Sequence, residues 1–190
     1  MTLIVPAEWS PHRAMWLGFP SHEELWEDHL GPARNEVAAL AQALAGPGKE
    51  RVRVLVNGEE AMVAARRRLG QTPGIELVAG HFGDIWLRDT GPIFVSDGGV
   101  PRAAGFRFNG WGGKYLLKGD DTVSTQIARA SGTPLVMHDF VLEGGAIDHD
   151  GLGTILTTRQ CLLNPNRNPD LDEAGLEAAL LAARARAAAS

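Results

Sequence analysis

The sequence predicts an α/β fold built from β-β-α-β units that repeat along the chain. Residues 86–93 and, 54 positions later, residues 140–147 share one pattern: an aromatic residue, an acid three residues on, a glycine two further and then isoleucine. Each segment leads into two strand-like runs around a turn signal, Asp-Gly-Gly at 97–99 and Asp-Gly at 150–151. Self-similarity of this kind is typical of architectures whose units stack to bury a shared core.

An amphipathic helix is predicted after each hairpin. The first is expected to begin near Asp120 or Asp121 and the second near Asp170 or Asp172, because aspartate is a favoured N-cap and apolar residues then recur at helical spacing. A strand over 135–137 follows the first helix, whereas only an Ala/Arg-rich end follows the second. This predicts a truncated fold whose third unit lacks its last strand; the alternative is that this end is simply frayed.

An earlier, less regular unit precedes the two repeats. Its predicted elements are a strand over 14–19, a helix over 33–45, a strand over 51–56, a helix over 59–69 and a strand over 75–78. We therefore expect one partial domain made of units at approximately 1–80, 81–139 and 140–190.

Composition excludes several classes of protein. The formal net charge is −5, from 18 basic and 23 acidic residues, so no basic face for nucleic acid is expected. The single cysteine, Cys161, cannot form an intrachain disulfide, which favours a reducing, cytoplasmic location. No apolar run approaches the roughly 18 residues that span a bilayer, and no basic segment precedes an apolar one at the start, so neither a membrane partner nor a signal peptide is predicted.

Asp89 and Glu143 occupy equivalent positions in the repeat, each just before a strand. In a propeller-like arrangement equivalent positions converge on the central axis, so the two carboxylates could meet there. Such a pair suits acid/base work, a metal or a bidentate grip on a guanidinium group. The alternative is that both acids cap turns or pair with Arg88 and other surface cations.

Two tryptophans accompany these acids in the sequence. Trp86 lies three residues before Asp89, and Trp111 lies in a Gly-rich run at 109–114. Aromatic faces beside carboxylates attract a cationic ligand, although on composition alone either tryptophan is more often a core or loop packing residue. The run lacks the spacing of a phosphate-binding loop, so its glycines are expected to let the backbone approach a ligand closely.

Neither a metal nor a cofactor is predicted. The six histidines form no HExxH or related ligand spacing, and no Cys/His cluster is present. His149 is expected at a hairpin turn, exposed to solvent. A nucleophilic role for Cys161 stays open, although no residue nearby in sequence would activate it.

Several motifs, in order along the chain, resemble those of the agmatine deiminases. The resemblance also includes the Porphyromonas-type peptidyl-arginine deiminases, which share the Trp-x-Arg-Asp element, and it runs from Pro6 to about Leu180. The motifs are Pro6–Trp9 with Pro11-His12, Trp86–Pro92, Phe108–Tyr115, Leu142–Gly145 with Asp150-Gly151, and Cys161–Asn168.

The resemblance implies a pentein fold, in which five β-β-α-β units surround a pseudo-fivefold axis with the active site at its centre. About two and a half to three units would be present here. The implied chemistry is guanidine hydrolysis: a Cys thiolate attacks the guanidinium carbon, ammonia leaves, and water resolves the amidine intermediate with a His as general acid/base. Agmatine would yield N-carbamoylputrescine, a step of putrescine and polyamine biosynthesis.

The same resemblance assigns roles to individual residues. Asp89 matches the guanidinium-binding aspartate, and Glu143 matches the second substrate-binding carboxylate; we expect both to take part in catalysis. Trp86 matches the aromatic wall of the pocket, and Trp111 is a weaker match to its lining. The family's His-x-Asp motif and nucleophilic cysteine would lie beyond the matched region, and Cys161 matches a position that is not the nucleophile. The chain is therefore expected to be inactive alone.

Three interpretations remain open at this point. In the first, the chain belongs to a guanidine hydrolase that acts on a small cationic substrate, agmatine rather than peptidyl-arginine. In the second, it is a non-catalytic protein that binds guanidinium cations or assembles with a partner. In the third, it is an enzyme that uses Cys161 as its nucleophile. An exposed unit edge would also favour a homo-oligomer.

Overall fold

The computed structural model describes residues 3–186, which form two units, each with its own hydrophobic core. One unit, called here the parallel-sheet unit, consists of Pro11–Leu87 and Leu117–Asp120. The other, called the hairpin unit, consists of the described residues before Pro11, of Arg88–Leu116 and of the described residues from Asp121 onward.

Nine strands and eight helices lie within residues 3–186. The strands are β1 (Leu3–Ile4), β2 (Met15–Gly18), β3 (Val52–Asn57), β4 (Ile75–Gly80), β5 (Ile93–Asp97), β6 (Val100–Arg107), β7 (Leu135–Val141), β8 (Ile147–His149) and β9 (Ile155–Thr157). The helices are α1 (Glu23–Trp26), α2 (Leu30–Ala45), α3 (Glu59–Leu69), α4 (Leu87–Thr90), α5 (Gly110–Gly113), α6 (Val123–Ser131), α7 (Arg159–Leu162) and α8 (Glu173–Arg186). Single turns of 3-10 helix occur at Glu27–His29, Asp120–Thr122 and Gly144–Ala146. None of the helices in residues 3–186 is long and apolar enough to cross a membrane.

The parallel-sheet unit has strand order β2-β3-β4, with both pairs parallel. Its central strand β3 carries Val52, Val54 and Val56, which are all buried and pack in one cluster with alanines of α2 and α3. β-branched residues favour strands, and helices cover the faces of parallel sheets. The five elements predicted for this part of the chain are confirmed: α3 has its predicted bounds, and α2 begins at Leu30 rather than at 33.

The hairpin unit contains the predicted β-β-α-β arrangement. Strands β5 and β6 pair antiparallel around a turn in which Gly98 and Gly99 adopt φ values of 56° and 91°. Helix α6 follows, and β7 then pairs parallel to β6, which gives the sheet order β1-β5-β6-β7. The second hairpin, β8 with β9, is also antiparallel, and α8 follows it.

The start of α8 agrees with the sequence, and the start of α6 does not. Asp172 Oδ1 accepts a hydrogen bond from the Gly175 backbone N–H (2.8 Å), which is an N-cap contact at the predicted residue. The prediction that Asp120 or Asp121 caps α6 is wrong, since α6 begins at Val123 without a side-chain cap. Asp120 is buried instead, and its Oδ1 accepts from the backbone N–H groups of Gly83 and Asp84 (2.7 and 3.3 Å).

Strand β7 is longer than predicted, because it continues past residue 137 to Val141. His138 is buried in this strand and stacks on Phe106 of β6 with ring centroids 5.2 Å apart. The tertiary contact therefore extends the strand through a polar stretch. The division into three units stays a prediction, and the expectation about the Ala/Arg-rich end falls partly on residues 187–190, which lie outside the described residues.

Candidate active site

Asp89 lies in α4, four residues before the first residue of β5. Its carboxylate is held at both oxygens: Oδ1 accepts from the Gly145 backbone N–H (3.0 Å), and Oδ2 accepts from the Trp111 indole Nε1–H (3.1 Å). Both donors are neutral N–H groups. They fix the plane of the carboxylate while leaving each oxygen with a further lone pair, since an ionised carboxylate offers about four acceptor sites.

Glu143 occupies the equivalent place before β8, four residues from Ile147. Only 4% of it is exposed, and its Oε1 accepts a hydrogen bond from Arg167 Nε (2.9 Å). The other oxygen, Oε2, is buried and has no hydrogen-bond partner among the described residues. A buried charged group normally has all of its polar atoms satisfied, so this oxygen is an exception that requires an explanation.

The segments that carry the two acids lie in direct contact. A Cβ atom added to Gly145 would run into Asp89 Oδ1, and one added to Gly144 would run into the Arg88 carbonyl oxygen. Glycines therefore follow Glu143 because the backbone of this turn passes too close to residues 88–89 for any side chain. This contact brings the two acid-bearing turns together within the hairpin unit, whereas a meeting of the two carboxylates stays a prediction.

Trp111 lies in a loop whose backbone is largely left-handed. Its own φ and ψ are 56° and 45°, and its glycine neighbours Gly110, Gly112 and Gly113 have φ between 67° and 81°. Asn109 Oδ1 stabilises the turn by accepting from the Gly112 N–H (2.9 Å). The loop thereby directs the Trp111 indole N–H at Asp89, where the sequence alone predicted only an aromatic surface.

The same loop packs on the Asn-rich loop, residues 164–168, which carries Arg167. Asn109 Nδ2 donates to the Asn166 carbonyl oxygen (2.8 Å). A Cβ atom added to Gly112 would lie 2.8 Å from both Arg167 Nη1 and Asn166 Cβ, closer than real Cβ contacts. Arg167 is thus enclosed between Glu143 and the Gly-rich loop, with only 18% of its side chain exposed.

Trp86 belongs to the parallel-sheet unit and is described within it. Its indole Nε1–H donates to Asp84 Oδ2 (2.7 Å), and 53% of the residue is exposed. The hydrogen bond orients the indole while leaving about half of its surface open to solvent.

Three other residues differ from, or add to, the sequence-based expectations. Arg88 pairs with Glu8 (Nη2 to Oε1, 2.7 Å). The prediction that His149 is exposed at its turn is wrong, because its side chain is only 8% exposed and its Nε2 lies 3.7 Å from Glu8 Oε1. Cys161 lies in α7, half-buried against the core cluster of the hairpin unit.

Sequence reasoning missed Arg167 as part of the site. The residue was visible only as one position of the Asn-rich motif, and no local pattern connects it to Glu143, which lies 24 residues earlier. Within the described residues, no group of three or more His, Cys, Asp or Glu side chains has the arrangement of a metal site. The absence of a cofactor stays a prediction.

Comparison with known proteins gives consistent matches along the chain. Residues 4–185 match the Porphyromonas-type peptidyl-arginine deiminase family. The agmatine deiminase of Stutzerimonas stutzeri (strain A1501) is 42% identical over 183 residues, covering 93% of this chain and 49% of the relative. The agmatine deiminase of Pseudomonas aeruginosa (strain LESB58) is 39% identical over 183 residues, with 93% and 49% covered.

Solved structures give the same result for the fold. The agmatine deiminase of Enterococcus faecalis superposes with a TM-score of 0.86 at 32% identity, covering 94% of this chain and 50% of that one. An agmatine deiminase of C. jejuni with substrate bound superposes with a TM-score of 0.86 at 26% identity, covering 96% and 54%. The chain spans about half the length of the curated relatives it matches.

Proposed function

This chain belongs to the Porphyromonas-type peptidyl-arginine deiminase family, and we propose that it forms part of an agmatine deiminase. In this proposal Asp89 and Glu143 together hold the guanidinium group of the substrate. The fold class predicted from the sequence, an α/β fold that is part of a pentein, is confirmed by the structural relatives.

The observation that carries the proposal is the state of Glu143. One oxygen is bound by Arg167 Nε, and the other is buried without a hydrogen-bond partner in the described chain. Leaving an ionised oxygen desolvated and unpaired is unfavourable, so a site of this kind is suited to a ligand that brings its own N–H donors. A guanidinium group presents planar N–H donors in the geometry that carboxylates accept.

Asp89 supplies the second acceptor. Because Gly145 and Trp111 each use one lone pair of its carboxylate, the orientation of the carboxylate is fixed and acceptor capacity remains. Two fixed carboxylates would stabilise the positive charge of the guanidinium and hold its central carbon in place for attack. Their proposed catalytic contribution is thus substrate orientation and charge stabilisation.

The tryptophans have separate proposed roles. Trp111 contacts Asp89 through its N–H, and its ring packs edge-on against Phe108 (centroids 4.8 Å apart), which supports a role in orienting the acid. The resemblance gives Trp86 the role of an aromatic wall, and its half-exposed indole supports that role, since an open aromatic face can attract a cation.

The complete reaction needs groups beyond these acids. Hydrolysis of agmatine to N-carbamoylputrescine and ammonia requires a thiolate to attack the guanidinium carbon and a base to activate water. Cys161 packs half-buried against the hairpin-unit core, which favours a packing role over a nucleophilic one. We therefore propose that the 190-residue chain binds agmatine but does not turn it over alone, as part of polyamine metabolism in the cytoplasm.

Calorimetric titration of the 190-residue chain with agmatine tests the proposal. We expect binding that weakens by at least about tenfold in Asp89→Asn and in Glu143→Gln, because each variant removes a charged acceptor. Putrescine, which lacks the guanidinium group, serves as the ligand control and should bind more weakly than agmatine. Equal binding of the two ligands, or no binding of agmatine, would overturn the proposal.

Ammonia release from agmatine, measured beside Cys161→Ala, separates the remaining interpretations. No release from either protein agrees with a chain that binds without turnover, including the non-catalytic guanidinium-binding protein. Release that is lost in Cys161→Ala would make the single cysteine the nucleophile and would contradict the role proposed for it here.

A further inference from the structure

We infer that Arg167 is a positioning residue for guanidinium binding. It fixes one oxygen of Glu143 so that the other oxygen accepts from the substrate, and the Gly-rich loop at 109–114 keeps Arg167 in place. This inference rests on the proposed function and assigns a role to a residue that would not itself contact the substrate.

A hydrogen bond joins Arg167 to Glu143. Arg167 Nε donates to Glu143 Oε1 over 2.9 Å, and the two side chains are 18% and 5% exposed. A charge-assisted bond between two largely buried groups is stronger and more directional than one at the surface. Removing one member of such a pair leaves an uncompensated buried group, and the bond itself holds the Glu143 carboxylate in one orientation.

The two oxygens of Glu143 differ in their hydrogen bonds. The contact with Arg167 uses Oε1, whereas Oε2 is buried and has no partner in the described chain. A bidentate contact would have used both oxygens, as Arg34 does with Glu60 in the parallel-sheet unit (2.8 and 2.6 Å). The single contact at Glu143 holds the carboxylate and keeps one oxygen available for a ligand.

The Gly-rich loop encloses Arg167. Gly112 leaves no room for a Cβ atom beside Arg167 Nη1, and its φ of 79° further favours glycine. The neighbouring residue, Trp111, donates to Asp89 Oδ2. Consecutive residues of one loop therefore position one acid directly and the other through Arg167.

The same contacts also fit an opposite role for Arg167, that of a competitor of the substrate. The Arg167 side chain is itself a guanidinium, so it could compete with the substrate for Glu143, and its removal would then strengthen agmatine binding. The two roles predict changes of opposite sign, which makes them separable by one titration.

The experiment is calorimetric titration of the 190-residue chain with agmatine, using wild type, Arg167→Gln, Glu143→Gln and the double variant. We expect Arg167→Gln to weaken binding by at least about tenfold, and the double variant to bind no more weakly than Glu143→Gln, because Arg167 acts through Glu143. The matched control is Arg159→Gln, which removes an exposed arginine paired with Glu173 and should leave affinity unchanged.

Two further variants keep the inference testable if Arg167→Gln does not fold, as judged by its thermal unfolding. Arg167→Lys keeps the charge but lacks the planar Nε–H, and we expect an affinity between those of wild type and Glu143→Gln. Gly112→Ala should weaken binding because the added Cβ displaces Arg167.

Several results of these titrations would contradict the role of Arg167. Unchanged affinity in Arg167→Lys and Gly112→Ala, increased affinity in Arg167→Gln, or additive losses in the double variant would overturn it while leaving the proposed function intact. Failure of the wild-type chain to bind agmatine would overturn the proposed function, and this inference with it.

Discussion

The indole N–H of Trp111 donates a hydrogen bond to Asp89 Oδ2, and the residue that makes this contact has a left-handed backbone with φ 56°. Bulky residues rarely adopt this conformation, which carries strain of about 1–3 kcal/mol. The ring is held edge-on by Phe108 and Tyr115, with centroids 4.8 and 6.2 Å away. The strained position is thus sustained by packing, and it places an N–H donor on the acid that we propose to bind the substrate.

The hydrogen bond of Trp111 can be tested separately from its packing. Trp111→Phe keeps an aromatic ring against Phe108 but removes the Nε1–H donor to Asp89. We expect agmatine affinity to fall by about tenfold, the scale of one hydrogen bond to a charged group, with little change in thermal unfolding. The control is Trp9→Phe, because Trp9 is 80% exposed. Equal affinities for wild type and Trp111→Phe would show that the indole N–H has no part in binding.

The contact between Gly145 and Asp89 gives a steric test of the same carboxylate. In Gly145→Ala the new Cβ would run into Asp89 Oδ1, so the carboxylate must rotate or the turn must shift. We expect agmatine binding to weaken by at least about tenfold, measured by the same titration.

The matched substitution is Gly31→Ala in α2, where an added Cβ meets no atom within 4 Å. This variant should bind agmatine as wild type does and be slightly more stable, because alanine is favoured over glycine in a helix by about 0.5–1 kcal/mol. If Gly145→Ala binds normally, the orientation of Asp89 seen here is not required.

The fold was predictable from sequence wherever local signals agreed with tertiary contacts. Helix α3 has its predicted bounds because glycines at 58 and 70 flank an amphipathic run. The N-cap of α6 was not predictable, because the buried carboxylate of Asp120 is used by backbone N–H groups 36 and 37 residues earlier in the chain. Local capping preference is outweighed when burial supplies better donors.

The candidate site was predictable only in part. The repeat indicated that Asp89 and Glu143 are equivalent, and each does lie four residues before a hairpin strand. The contacts that define the site involve Trp111, Gly145 and Arg167, which lie 22, 56 and 24 residues from their partners. Contacts over such separations arise from the packing of turns, and they cannot be predicted from periodicity in the sequence.

The turn between β8 and β9 predicts a pH effect on stability. Asp150 accepts hydrogen bonds from the Thr154 side chain and from the backbone N–H groups of Leu152, Gly153 and Thr154, which lower its pKa from 3.8 to about 2. A lowered folded-state pKa contributes stability that is full above about pH 4 and is lost as the pH falls to about 2.

Asp150→Asn should therefore show a smaller fall in the free energy of unfolding between about pH 4 and about pH 2, measured by urea titration. The control is Asp139→Asn, because the Asp139 side chain is 95% exposed. If the wild type and Asp150→Asn lose stability in parallel over this range, the hydrogen bonds of the turn do not favour the ionised carboxylate.

Asn168 is the residue on which the stability of the Asn-rich loop should depend most. It is buried, its Nδ2 donates to the carbonyl oxygens of Val141 and Leu162 (3.0 and 2.9 Å), and its Oδ1 accepts from the Val141 N–H (2.9 Å). Asn168→Ala would leave these backbone groups unsatisfied, so we expect the free energy of unfolding to fall by about 2–4 kcal/mol. Gln71→Ala, which truncates an exposed amide side chain between α3 and β4, should change it by less than about 0.5 kcal/mol in the same urea titration. Since Asn168 immediately follows Arg167, a variant that folds should also bind agmatine more weakly; full stability with weak binding would instead assign Asn168 to the site rather than to the fold.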